Sequence, residues 1–188
     1  MFWLARSMER AENLARILDV NETFSRDARG SQNWLSIVNL HADAEPFFKK
    51  HQAATANNVI HYYLLDPENH SSIYSCIKAA RDNARTLRPL ISTELWTQLN
   101  MFYAWGKALT PADVGRADLS RICAKIKDGC QLHTGILEVT LYRDEGWYFY
   151  QLGKLLERAD QSTRLLDIKY HLLLPTATEV GSPLDISQ

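Results

Sequence analysis

"SMERAENLARILD" occupies residues 7–19, and "LLERADQSTRLLD" occupies residues 155–167. A shift of 148 lays Glu9 on Glu157, Arg10 on Arg158, Ala11 on Ala159 and Glu12 on Asp160. The overlay continues with Arg16 on Arg164, Leu18 on Leu166 and Asp19 on Asp167. The spacing is helical. At about 100° per residue, Trp3, Leu4, Met8, Ala11, Leu14, Ala15, Ile17 and Leu18 share one arc of a first helix over about 2–25. Glu9, Glu12, Arg16 and Asp19 form a stripe beside that arc, and Arg6, Arg10 and Asn13 lie towards the other flank.

Apolar packing has no need of these charges. Glu12–Arg16 and Asp160–Arg164 are spaced i,i+4 and can pair on their own helix, worth about 0.3–0.5 kcal/mol if exposed. Glu9-Arg10 and Glu157-Arg158 are adjacent, so each side chain points about 100° from its neighbour and needs a partner elsewhere. Inter-helix salt bridges or a solvated face would satisfy them. So would a polar seam between the first and last helices that grips an anionic or peptide-like ligand, with arginine forks on carboxylate or phosphate and acids orienting the arginines. A seam without ligand must be cross-paired, because buried charge needs compensation. The repeat also predicts an approximate two-fold axis across the pair, with the two helices antiparallel and their motifs close together.

The rest of the chain is also helical, and no segment reads as a strand. "DARGSQN" ends the first helix, with Gly30 as C-cap and Ser31 as an N-cap. "NWLSIVNLH" is a short helix, "EPFFKKHQ" starts another with Pro46 in its first turn, and "TANNVIHYYLLD" forms a third. Ser71 or Ser72 caps "SIYSCIKAARDNARTLRPLI", and Ser92 or Thr93 starts "TELWTQLNMFYAWGKAL". Thr110, Pro111 and Asp113 give a start signal for a helix over about 112–142, with Gly129 and Gly135 as weak points. Asp144 caps a last helix over 145–173. The expected architecture is an all-α single bundle of roughly six or seven helices. Residues 1–175 form the helical domain and 176–188 a mobile tail.

Composition narrows the function classes. A net charge of -1 over 188 residues gives no general attraction to nucleic acid or to an anionic membrane. Arginine outnumbers lysine, 13 to 8, which favours fixed, forked pairing over a merely solvated surface. Three cysteines, Cys76, Cys123 and Cys130, with no CxxC, argue for a reducing cytoplasm and against structural zinc. "MFWLARSMER" is too short an apolar stretch for a signal peptide, and no apolar run reaches membrane-spanning length. No acid is followed by His at +3, and there is no His-x-x-x-His, no His-Glu-x-x-His and no glycine-rich phosphate loop. No metal and no cofactor is expected, and Cys76 reads as a small core residue.

Three stretches together carry a resemblance. "FWLARSMERAENLARILD", "LLDPENHSSIYSCIKAARDNARTLRPLISTELWTQLN" and "LYRDEGWYFYQLGKLLERADQSTRLLD" are similar to the opening, central and closing segments of the bacterial alpha-E domain family, all-helical domains with a Glu-Arg motif. The likeness covers nearly the whole chain. It implies an association with circularly permuted ATP-grasp ligases, with transglutaminase-like peptidases and proteasome-like hydrolases as further neighbours. It carries Glu9, Arg10, Glu157 and Arg158 over directly, and Arg81, Asn83, Arg85, Arg143, Asp144 and Glu145 from the other segments. Arg81, Arg85 and Arg88 share one helix side, as a solvated stripe or as a reach towards the acids of the end helices.

The expected function is a non-catalytic accessory domain acting with an ATP-grasp-type amide or peptide ligase. It would dock the ligase or present a peptide-like or anionic substrate at the seam of Glu9, Arg10, Glu12, Arg16, Glu157, Arg158, Asp160 and Arg164. Two alternatives stand beside it: a metal-independent peptide-modifying enzyme using Glu9 or Glu157 as acid or base, and a purely structural interaction module. Trp96, Phe102, Tyr103 and Trp105 carry more aromatic surface than one helix face buries, which marks them as a docking patch.

Overall fold

The computed structural model describes residues 1–27 and 34–173, with side chains described at 1–24 and 34–167. The described residues form α1 (Phe2–Asp27), α2 (Leu35–Leu40), α3 (Ala44–Lys50), α4 (Ala56–Leu64), α5 (Ile73–Thr86), α6 (Thr93–Ala108), α7 (Leu119–Thr140) and α8 (Glu145–Leu173), with a 3-10 turn at Arg88–Leu90. No strand occurs among them, so the domain is an all-α bundle. Gly30, Ser31 and the tail 176–188 lie outside the described residues.

The helix starts follow from their caps. Thr55, Ser72 and Ser92 accept the backbone N–H of Asn58, Ser75 and Leu95. Ser72 and Ser92 therefore hold the cap positions rather than Ser71 and Thr93. Asp144 Oδ1 accepts from Gly146 N at 2.9 Å, opening α8. Pro46 sits in the first turn of α3.

Helix α1 is the centre of the bundle. α8, α5 and α7 pack around it, α6 closes against α5 and α7, and α2 rests on α8. Leu4, Met8, Leu14 and Leu18 of α1 are buried, and Ala5, Ala11 and Ala15 between them let three helices approach closely. Trp3, expected on the buried arc, is 61% exposed. It sits at the open end of α1, where the Arg6 guanidinium covers its ring at 5.4 Å.

Two expectations are corrected. α7 begins at Leu119, not near 112. Instead of capping a helix, Thr110 donates its N–H and hydroxyl to the Asp113 carboxylate at 2.8 and 2.6 Å, closing a turn. Buried Val114 anchors that turn, and Arg116 Nε then reaches the buried Glu22 of α1 at 3.1 Å. A buried carboxylate needs a cation, and supplying one draws this segment away from a helical course. α7 then runs unbroken through Gly129 and Gly135. Gly129 is a point of close approach: a Cβ there would lie 2.6 Å from the Phe102 ring of α6.

The second correction concerns direction. A Cβ at Gly153 would collide with the Phe2 carbonyl oxygen. Arg6 and Arg10 reach Glu157, Glu9 meets Arg158, and Ile17 shares a groove with Leu165. Residue numbers rise together on both helices, so α1 and α8 run parallel, not antiparallel. The approximate dyad lies along the helices instead of across them. A dyad in that direction keeps residues related by the shift of 148 at one height, so both motifs meet side by side.

Candidate functional site

The two motifs pair reciprocally. Arg10 donates from Nε and Nη2 to Glu157 at 2.6 and 3.0 Å. Arg158 donates from Nε and Nη2 to Glu9 at 2.7 and 3.1 Å. Both contacts are two-pronged, the geometry that suits a planar guanidinium on a carboxylate. Each glutamate also receives an amide one turn along its own helix: Asn13 Nδ2 to Glu9 and Gln161 Nε2 to Glu157, both at 3.4 Å. Asn13 and Gln161 correspond under the same shift of 148.

The two halves are not equal. Glu157 also accepts from Arg6 Nε at 2.7 Å, and its side chain is 0% exposed. The position equivalent to Arg6 in the second copy is Lys154. Glu9 is buried too, but its partner Arg158 is 54% exposed, against 29% for Arg10. Burial alone would raise the Glu157 carboxyl; Arg10 and Arg6 outweigh it and hold the group below its ordinary value. A carboxylate so held is a poor general acid or base, which weighs against the acid/base reading for Glu157. Cys76 lies buried by this pair, and burial pushes its thiol up to about 12, so it stays protonated and inert.

Outside this centre, Glu12–Arg16 and Asp160–Arg164 form the i,i+4 pairs expected of them. Asp19 turns instead to Lys127 of α7 at 2.7 Å. The loop after α2 adds a polar wall that the sequence did not single out. Ala42 takes a left-handed φ of 56°, and Tyr63 donates to Asp43 at 3.0 Å. The His41 ring lies 5.1 Å from that of Tyr63. Burial, with Arg164 and Arg10 nearby, lowers His41 to about 4. No spacing signalled this wall, because it is assembled by a turn.

The residues carried over from the other segments lie elsewhere. Arg81 does not reach the acids of the end helices: it donates to Asn100 Oδ1 at 2.9 Å and lies over the Trp96 and Tyr103 rings of α6. Arg85 is exposed, and Asn83 Nδ2 is bound to Ala79 O at 2.8 Å within α5. Arg143 covers the Trp147 ring, and Asp144 and Glu145 stand at the α8 start, some 20 Å along the helix from Glu157. Of the aromatic patch, Phe102 is buried, while Trp96, Tyr103 and Trp105 are half-buried.

A groove of about 800 Å³ lies between α6 and α7. Met101, Phe102, Trp105 and Leu132 give it apolar walls, and Glu94, Lys125 and Asp128 stand among its lining. Gln98 lines it as well. Its Nε2 donates to Gly129 O at 2.8 Å, while its buried Oε1 has no hydrogen-bond partner among the described residues. Among the described residues, no group of three or more His, Cys, Asp or Glu is placed to hold a metal ion, and no helix is long and apolar enough to cross a membrane.

No solved structure matches the chain. An uncharacterized protein of Mycobacterium bovis and another of Mycobacterium tuberculosis are each 25% identical to it over 186 residues, covering 88% of this chain and 21% of theirs. The chain therefore spans about a fifth of the length of these curated relatives. A family model described as "a predicted alpha-helical domain with a conserved ER motif" matches residues 1–187. The Glu-Arg pairs that clasp α1 to α8 are the two Glu-Arg dipeptides that the overlay brings together, and the chain belongs to the Alpha-E family.

Proposed function

We propose that this chain is a non-catalytic accessory domain of an ATP-grasp-type amide or peptide ligase system. In this reading the Glu-Arg seam is the clasp of the scaffold, and the partner docks on the α6–α7 face. The observation that carries the reading is the saturation of Glu157, which takes hydrogen bonds from Arg6, Arg10 and Gln161 at zero exposure. A side chain so occupied has no lone pair to spend on chemistry. The groove supports docking rather than a purely structural role, because its apolar walls surround one buried acceptor that has no hydrogen-bond partner among the described residues. A peptide segment offers what such a groove lacks: an apolar side chain for the walls and an N–H for Gln98 Oε1. The relatives' much greater length fits a domain that works beside others. The link to a ligase rests on the family resemblance.

The test is retention of a purified circularly permuted ATP-grasp ligase on the immobilised chain. Met101→Glu places a charge on the groove at a side chain that is 69% exposed, so the fold should survive. Retention by the native chain and loss with Met101→Glu is the expected result. No retention by the native chain rejects the ligase partner, and retention indifferent to Met101→Glu rejects the groove.

A further inference from the structure

The outer face of α8 carries a pattern that the bundle does not use. Tyr148, Leu152, Leu155, Ala159, Ser162 and Leu166 are spaced by four and three residues in strict alternation, and all six are exposed. That is the spacing of a coiled-coil seam, and here it points away from α1. Phe149 and Leu156 widen the stripe on one side, and Leu165 flanks the other. The large apolar side chains of the stripe and its flanks are 47–67% exposed. At roughly 100 Å² for each half-exposed large side chain, the seven of them present on the order of 700 Å². That exceeds the largest patch of a typical monomer, about 300–600 Å², and approaches the ~800 Å² that each partner brings to a standard interface.

We infer that this face pairs with a second copy of the chain, α8 against α8, in antiparallel sense. Three features select that occupant. First, none of the nine residues of the stripe and its Phe149, Leu156 and Thr163 flank is charged, so the face meets itself without like-charge repulsion. Second, a dyad at the middle of the stripe matches large with small in its two inner layers, where Leu155 meets Ala159 and Leu152 meets Ser162, and sets Tyr148 against Leu166 at the ends. Antiparallel packing needs a- and d-type positions opposite each other, and this dyad supplies them in every layer. Third, the charge nearest the axis, Arg158, is already neutralised by Glu9 within its own chain. The clasp of one bundle thus prepares the surface on which two bundles meet.

Sedimentation equilibrium across micromolar concentrations tests this on the full chain. The expected species has twice the 21.5 kDa chain mass. Leu155→Glu should weaken association about a hundredfold or more, with helicity by circular dichroism unchanged because Leu155 is exposed in the single chain. Mixed and oxidised, Leu155→Cys and Ala159→Cys chains should cross-link to each other, since Cys76, Cys123 and Cys130 are buried and silent. A monomer at all concentrations overturns the inference. So does a dimer indifferent to Leu155→Glu, or Leu155→Cys chains that cross-link chiefly to themselves, which is the parallel arrangement.

Discussion

The two Glu-Arg dipeptides are identical in sequence and sit in unequal surroundings. Glu157 is fully enclosed and holds two arginines, whereas Glu9 holds one arginine that is more than half exposed. The same letters in the same register therefore carry different weights. Desolvation makes the difference: an ion pair in water is worth about 0–1 kcal/mol, while removing one member of an enclosed pair costs about 3–5 kcal/mol. The second copy's acid is thus the keystone of the α1–α8 clasp, and the first copy's acid is a lesser fastening.

The largest effect expected from this comparison is the loss of the Glu157 charge. Glu157→Gln keeps the shape but leaves Arg6 and Arg10 facing an enclosed neutral amide, and should cost about 3–5 kcal/mol of unfolding free energy. Glu9→Gln frees Arg158 to turn to water and should cost about 1–2 kcal/mol. Urea unfolding of both variants measures the gap. Equal losses would break the comparison and make the clasp symmetric in energy as well as in sequence.

Much of this was legible beforehand, and the limits were physical. Helix class and most helix starts follow from local spacing and capping, as at Thr55, Ser72, Ser92 and Asp144. The meeting of the motifs follows from the overlay. The sense of α1 relative to α8 does not, because a repeat is compatible with a dyad across the pair or along it. Only the path through α2–α7 decides that. Arg6 and Asn13 stand on the flank that the spacing predicts, but their partners Glu157 and Glu9 do not follow from it, and Gln161 is an uncharged amide that no pairing rule singles out. Arg81 has the right residue type, but nearby rings and Asn100 on α6 claim it first. The local start signal at Thr110 does not open α7, and Glu22, ninety-four residues away, holds Arg116 across the bundle instead.

Acid sharpens the comparison by a separate route. Glu157 is held below its ordinary value of 4.5, so its contribution is complete above that pH and is lost as pH falls through the lower folded value. Histidine losses begin earlier. His133 is fully buried in α7 with no hydrogen-bond partner among the described residues, and burial lowers it to about 3. The unfolded chain protonates this group near 6.5 while the folded chain does not, so stability falls between about 6.5 and about 3. His41, lowered to about 4, adds to the same limb. His133→Leu should therefore make the fall from pH 6.5 shallower, with His41 still costing stability down to about 4 and the Glu157 loss remaining at the acid end. Glu157→Gln should do the reverse, keeping the upper limb and blunting the lower one. Denaturant melts at stepped pH read both, and a lower limb unchanged in Glu157→Gln would show that the clasp does not govern acid unfolding.

The smallest effect expected comes from making the two copies alike. Arg6→Lys gives the first copy the residue that the second has at Lys154. Arg6 contributes one contact, Nε to Glu157 Oε2 at 2.7 Å, and also covers the Phe2 and Trp3 rings at 5.8 and 5.4 Å. An ammonium on a flexible stem can still reach the carboxylate, and Arg10 keeps its two-pronged hold on the other side. What is lost is part of the cation–π contact with the rings and some geometric fit, together about 0.5–1 kcal/mol. Arg6→Ala removes the third cation altogether and should cost more, about 1–3 kcal/mol, because one Glu157 oxygen then loses a charged donor. The ordering Arg6→Lys below Arg6→Ala below Glu157→Gln is the fine test of the unequal clasp. If Arg6→Lys costs as much as Glu157→Gln, then Arg6 rather than Arg10 is the principal counterion, and the asymmetry lies at the end of α1 instead of in the motif.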